Sequence, residues 1–181
     1  GVSLSCQNRL QVGAASINVT PALGVAMQGY GLRRAEAISD SLLASALAVG
    51  GRSVEWLLLT VDAIGLDGTF TSRVRENIGE RISLAPSAIT IACSHTHSGP
   101  ATLSHLGAVV ADQGYLSFLE DRMMTVALNA AGKLQPARWR VGRSSLNENI
   151  NRRLRVRGEV TLAANPQGSV DNRLRVIRID D

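Results

Sequence analysis

The sequence predicts an α/β fold: mixed β-sheet layers flanked by helices. Three observations carry that expectation. Apolar runs of strand length recur along the chain. Two longer segments repeat their apolar residues at helical spacing. Glycine and proline punctuate the intervals.

The elements follow in order. Residues 9–19, RLQVGAASINV, alternate small and apolar residues and predict a first strand, which Thr20-Pro21 ends. Residues 24–34, with three glycines, read as a loop able to bring backbone close to a ligand. Residues 42–49 and 54–62 read as two strands joined by a Gly50-Gly51-Arg52-Ser53 hairpin turn. The apolar run of the second, VEWLLLTVDAIGL, predicts burial on both faces. Residues 69–82 predict a helix, since Phe70, Val74, Ile78 and Ile82 form one stripe, with Asp67 or Thr69 as cap. Residues 88–93 predict a short strand running into Ser94-His95-Thr96-His97-Ser98-Gly99-Pro100. Residues 112–131 predict a second helix on the face of Leu116, Leu119, Met123, Val126, Ala127 and Ala130, closed by Gly132 and Lys133. Strands are expected again at 137–143, 153–162 and 170–179. One α/β domain over 1–181, or a piece of one, is the expected organisation.

Composition narrows the function. The 45% apolar content supplies a core, and no apolar run reaches the length of a membrane-spanning helix. The opening residues lack the pattern of a signal peptide, and Gly1 in place of Met implies that the native start lies elsewhere. Two cysteines, Cys6 and Cys93, make neither a disulfide framework nor a zinc finger. Net charge is +4, and Lys133 is the sole lysine. Seven arginines fall between Arg138 and Arg157. Such a stretch reads first as a solvated sheet face, and second as a surface for phosphates or an anionic membrane. Nucleic-acid binding is disfavoured, because Trp139 is the only aromatic residue there.

All three histidines lie between His95 and His105. Residues two apart in a strand share a face, so His95 and His97 are expected to aim two imidazoles at one metal ion. Their place at a strand end suits a ligand site in an α/β sheet. Asp40, Asp62 and His105 are the candidates for further ligands. A non-catalytic folding or interaction role is the competing reading.

A resemblance sharpens this. CSHTHSGPATL resembles the T-H-T-H-S-G-P-G segment of the neutral/alkaline ceramidase family. VGAASINVTPALGVAMQGYG is similar to that family's opening strand, D-I-T-P-like turn and M-x-G-Y. SDSLLASALAVGGRSVEWLLLTVDAIGL resembles its next hairpin. Asn149-Ile150-Asn151-Arg152 matches N-x-N-R, and SVDNRLRVIRID resembles a later strand. The five blocks come in family order. The chain departs at Ala101, where the family has glycine, and at Arg153, where it usually has Ser-Pro.

The resemblance implies a zinc-dependent hydrolase of N-acyl amides, acting on a lipid-like substrate of the sphingolipid type. It implies His95 as a zinc ligand, His97 as a catalytic neighbour beside the metal, and Arg152 with Asn151 as substrate-binding residues. It implies an extracellular or periplasmic setting. The family's serine nucleophile sits in a G-D-x-S-P segment, which this sequence does not contain; a further segment or chain would complete the site. A hydrolase of the same fold acting on another amide or ester stays open.

Overall fold

The computed structural model describes residues 10–104 and 109–180. Cys6 and His105 lie outside them. The chain divides into two compact units, the first ending at Pro136 and the second starting at Ala137.

The first unit runs β1 (Gln11–Asn18), β2 (Ala26–Gln28), β3 (Arg33–Arg34), β4 (Leu43–Gly50), β5 (Val54–Val61), α1 (Gly68–Ile82), β6 (Ile89–Cys93), β7 (Gly99–Pro100), α2 (Gln113–Ala131) and β8 (Gln135–Pro136). Five strands form a mixed sheet in the order β6-β5-β4-β1-β8. β4 and β5 are the expected antiparallel hairpin, and β1 pairs antiparallel with β4. β5 and β6 are parallel, so α1 is the crossover that connects them. This is the α/β character that the apolar runs predict.

One face of the sheet is covered. Ala44, Ala46 and Ala48 of β4 and Leu57, Leu59 and Val61 of β5 point to the helices and are buried. The alanines leave room for α2, whose Leu119, Met123, Val126 and Ala127 fill the layer. Gly13 lets α2 come close, since a Cβ there would lie 2.0 Å from the Ala130 carbonyl oxygen. Tyr115 ties α2 to the sheet by donating its hydroxyl to the Val19 carbonyl at 2.9 Å. Burial pushes its phenol well above the usual range, and the Asp62 charge adds to the effect.

The helices match their sequence stripes, but their ends differ. Asp67 precedes α1 without a side-chain capping bond; its carboxylate instead accepts from the Ser104 hydroxyl at 2.6 Å. Asp112 does cap α2, accepting from Tyr115 N–H at 2.9 Å. Gly132 ends α2 in right-handed conformation, not the left-handed one in which glycine excels. The left-handed cap belongs to Ser83 after α1.

Three expectations need correction. β5 is not buried on both faces: Leu58 is half-buried and Thr60 exposed, because helices cover only one side. Residues 24–34 are not a plain loop. They contain β2 and β3, which join β7 in a small sheet of order β3-β2-β7. The third correction lies in the second unit, where 153–162 is not one strand.

That unit holds β9 (Arg138–Ser145), β10 (Asn151–Val156), β11 (Glu159–Asn165) and β12 (Arg173–Asp180). β10 and β11 are the two arms of a hairpin turning at Arg157-Gly158, both with positive φ (52° and 90°). Positive φ at both turn positions matches the twist of a two-residue hairpin, and the glycine was the available sequence signal. β9 pairs with β12 antiparallel over eight residues.

Candidate active site around two histidines

The histidine segment starts where β6 stops. Cys93 is the last strand residue, and Ser94 N–H still donates to the Val61 carbonyl at 3.0 Å. His95 then takes φ 58°. The two imidazoles converge because of this left-handed residue, not by strand alternation as the sequence suggested. His95 Nε2 and His97 Nε2 lie 3.3 Å apart, with ring centroids 5.0 Å apart at 71°.

Protons follow from the partners. His95 Nδ1 is 2.7 Å from the Ile64 carbonyl, which only accepts, so Nδ1 carries hydrogen. In the neutral ring His95 Nε2 then holds a lone pair, and His97 Nε2–H donates to it. This leaves His97 Nδ1 as a bare nitrogen, and that atom is buried without a hydrogen-bond partner. An unpartnered lone pair costs less than an unpartnered N–H, which agrees with the assignment.

Neighbouring backbone is built around His97. Gly29, at φ 117°, stands so close that a Cβ there would be 2.7 Å from His97 Cγ. The glycine-rich segment thus approaches a side chain of the site. Tyr30 packs edge-on against the His97 ring at 5.0 Å, and Arg33 lies over Tyr30 at 5.3 Å. Arg33 also donates to the His97 carbonyl. Behind them Gln28, 2% exposed, donates to Leu103 O at 2.9 Å and accepts from Leu103 N–H at 3.1 Å and Thr102 N–H at 3.3 Å. Sequence reading did not single out Gln28, Tyr30 or Arg33. A glutamine within the strand flanked by glycines was the visible clue.

A cleft of about 650 Å³ lies beside this turn. Thr96 and Ser98 line it, with Asp40, Arg33 and Met27; neither imidazole does. The imidazoles and the cleft therefore belong to alternate residues of one turn.

The donor set fits the first ligand of a zinc ion. A histidine whose Nδ1–H is fixed on a backbone carbonyl presents Nε2 as metal ligands do. His97 Nε2, which carries hydrogen in this arrangement, is a neighbour of that ligand and not a second one. Further ligands are not supplied by the expected aspartates. Asp62 accepts from Leu43 N–H at 3.0 Å, and Asp40 lines the cleft. Among the described residues no group of three or more His, Cys, Asp or Glu side chains converges.

Asn151 and Arg152 belong to the second unit. Both ends of the Asn151 amide are engaged: Oδ1 accepts from Arg153 N–H at 2.8 Å, and Nδ2 donates to Ser169 O at 3.0 Å. Arg152 sits at the irregularity between the Asn151 and Arg153 pairings and is exposed. A bulge of this kind re-aims a side chain.

No family model matches the chain, and no curated protein matches it. Solved structures do. Neutral ceramidase from Pseudomonas aeruginosa aligns with a TM-score of 0.75 at 19% identity, over 96% of this chain and 30% of that one. A ceramidase complexed with C2 gives 0.75 at 18% identity, over 96% and 29%. The likeness establishes the fold, a part of a larger structure in those proteins, and bears out the resemblance at that level. The chain spans about 30% of their length.

Proposed function

We propose that this chain forms part of a zinc-dependent hydrolase of N-acyl amide bonds, with a ceramide-like lipid amide as substrate class. The observation that carries the reading is the His95–His97 pair, in which one Nε2 lone pair is fixed by the Ile64 carbonyl and faces the other ring at 3.3 Å. The ceramidase-like fold supports it.

In this reading His95 holds the metal through Nε2. A zinc ion there supplies Lewis acidity toward an amide carbonyl. His97 is the catalytic neighbour. A metal on His95 Nε2 would take the lone pair that the His97 Nε2–H now meets, and this N–H would then be free to donate to an oxyanion as charge develops. Gly29 and Tyr30 pack against that ring, so its donor direction is set before substrate arrives. Arg152, planar and always charged, suits a hydroxyl-rich or anionic head group, with Asn151 beside it at the bulge of β10. These two roles rest on the N-x-N-R motif alone.

Metal content after dialysis tests the reading. Protein with the site completed is expected to retain zinc through His95: His95→Asn, which tolerates the left-handed backbone, should lose it with the fold intact. Equal zinc in both proteins would overturn the assignment. Ceramide and simple acyl amides, offered to protein with the site completed, separate the substrate class; preference for the simple amides would remove ceramide from it.

A further inference from the structure

The second unit carries the chain's whole positive excess. Residues 137–181 contain ten arginines and five acidic residues, a net +5, whereas the preceding 136 residues come to −1. Three of the ten are paired: Arg140 and Arg178 both reach Asp180 at 2.6 Å, and Arg173 reaches Asp171 at 2.8 Å. Arg143 and Arg175 have no acidic partner among the described residues. They stand directly opposite each other across β9 and β12. Like charges opposed across a strand pair disfavour the pairing. An external anion would relieve that cost.

The same face has a second character. Alternate residues share a face, so the pairs Trp139–Ile179 and Val141–Ile177 lie beside Arg143–Arg175. Trp139 is 59% exposed, Val141 56% and Ile177 68%. Apolar side chains at one end of the ribbon thus pass directly into unpaired guanidinium groups at the other. A tryptophan and aliphatic residues beside arginines match a bilayer interface, where the ring sits at headgroup level and the cations meet anionic lipid. A nucleic acid would find one stacking ring and no second.

We propose that this face of the β9/β12 ribbon docks on a lipid bilayer bearing anionic headgroups. The occupant follows from charge complementarity together with the apolar block, and it does not depend on the hydrolase reading.

The test uses the whole chain carrying Trp56→Phe, so that Trp139 is the one indole. Vesicles of phosphatidylcholine, with and without phosphatidylserine, are the probes. Co-sedimentation and a blue shift of Trp139 emission are expected with the mixed vesicles only, both fading as salt rises. The double variant Arg143→Gln/Arg175→Gln should bind roughly thirtyfold more weakly, at about fivefold per arginine near an anionic surface. Arg143→Lys/Arg175→Lys should keep most of the binding, and Arg81→Gln in α1 all of it. Circular dichroism establishes that each variant is folded. Indifference to both vesicle types, as for a face covered by another protein segment, would overturn the proposal. So would equal binding to both types, unchanged binding by the Gln pair, or sedimentation without a Trp139 shift.

Discussion

Gly29 and His97 approach so closely that a side chain at the glycine has no room: a Cβ at Gly29 would sit 2.7 Å from His97 Cγ and 2.8 Å from His97 Cβ. The orientation of the imidazole is therefore written partly into another segment of the chain, 68 residues earlier. At φ 117° the position is also strained for any residue with a side chain. Gly29→Ala is expected to cost about 1–3 kcal/mol and to displace His97. Chemical denaturation measures the first effect, and the His97 ring resonances in NMR report the second. An unchanged ring spectrum would show that the turn absorbs the methyl group.

Zinc affinity should separate the two histidines. His95→Ala removes the lone pair anchored by Ile64, so binding measured by calorimetry should vanish. His97→Ala removes a neighbour of that ligand and should weaken binding by less. The reverse order would exchange their roles.

Gln28 bonds three backbone groups of Thr102 and Leu103 from a buried position. Gln28→Leu leaves those groups without this partner and should destabilise by about 2–3 kcal/mol, read as a lower thermal midpoint. Leu119→Ala, in the fully buried face of α2, should cost about 2–5 kcal/mol by opening a cavity. A loss well below that from Leu119→Ala would mean that the helix layer collapses around the gap.

Acid should loosen the β9/β12 pair. Hydrogen bonds from Arg140, and next from Arg178, hold the Asp180 carboxyl below the usual carboxylate range. Its folded value is thus below its unfolded one. The contribution to stability is complete above the unfolded value, near 4, and is lost as pH falls through the folded one. Trp139, which pairs with Ile179 beside it, reports the change. Asp180→Asn should remove that part of the acid dependence; an identical acid profile would locate the transition elsewhere.

Much of the fold was legible because it rests on period. The stripe of Phe70, Val74 and Ile78 defines α1, and the spacing of Leu119, Met123 and Val126 defines α2. The β4–β5 hairpin was legible from Gly50-Gly51 between two apolar runs. What escaped depends on pairing at a distance. β2 is three residues long and exists because β3 and β7 flank it. The Arg157-Gly158 turn was hidden inside a run of strand-forming residues. In the site, His95 and His97 were legible as a motif, but the left-handed backbone that makes them converge was not, since histidine carries no strong signal for positive φ. Tyr30, Arg33 and Gln28 escaped because their role is set by contact with residues over sixty positions away.

The parallel pairing of β5 with β6 has a kinetic consequence. Antiparallel β4 and β5 are joined by a tight turn and close early, whereas β6 reaches β5 only after a crossover that includes all of α1. The histidine turn begins at the end of β6 and hangs on that step through the bond from Ser94 to Val61. Metal-binding capacity should therefore arise late in refolding, in step with the slowest docking event and not with collapse. Trp56 is a built-in observer of that event, because its indole N–H reaches the Thr90 hydroxyl across the parallel pair at 3.2 Å. Stopped-flow emission from Trp56 and the recovery of zinc binding should share one rate constant.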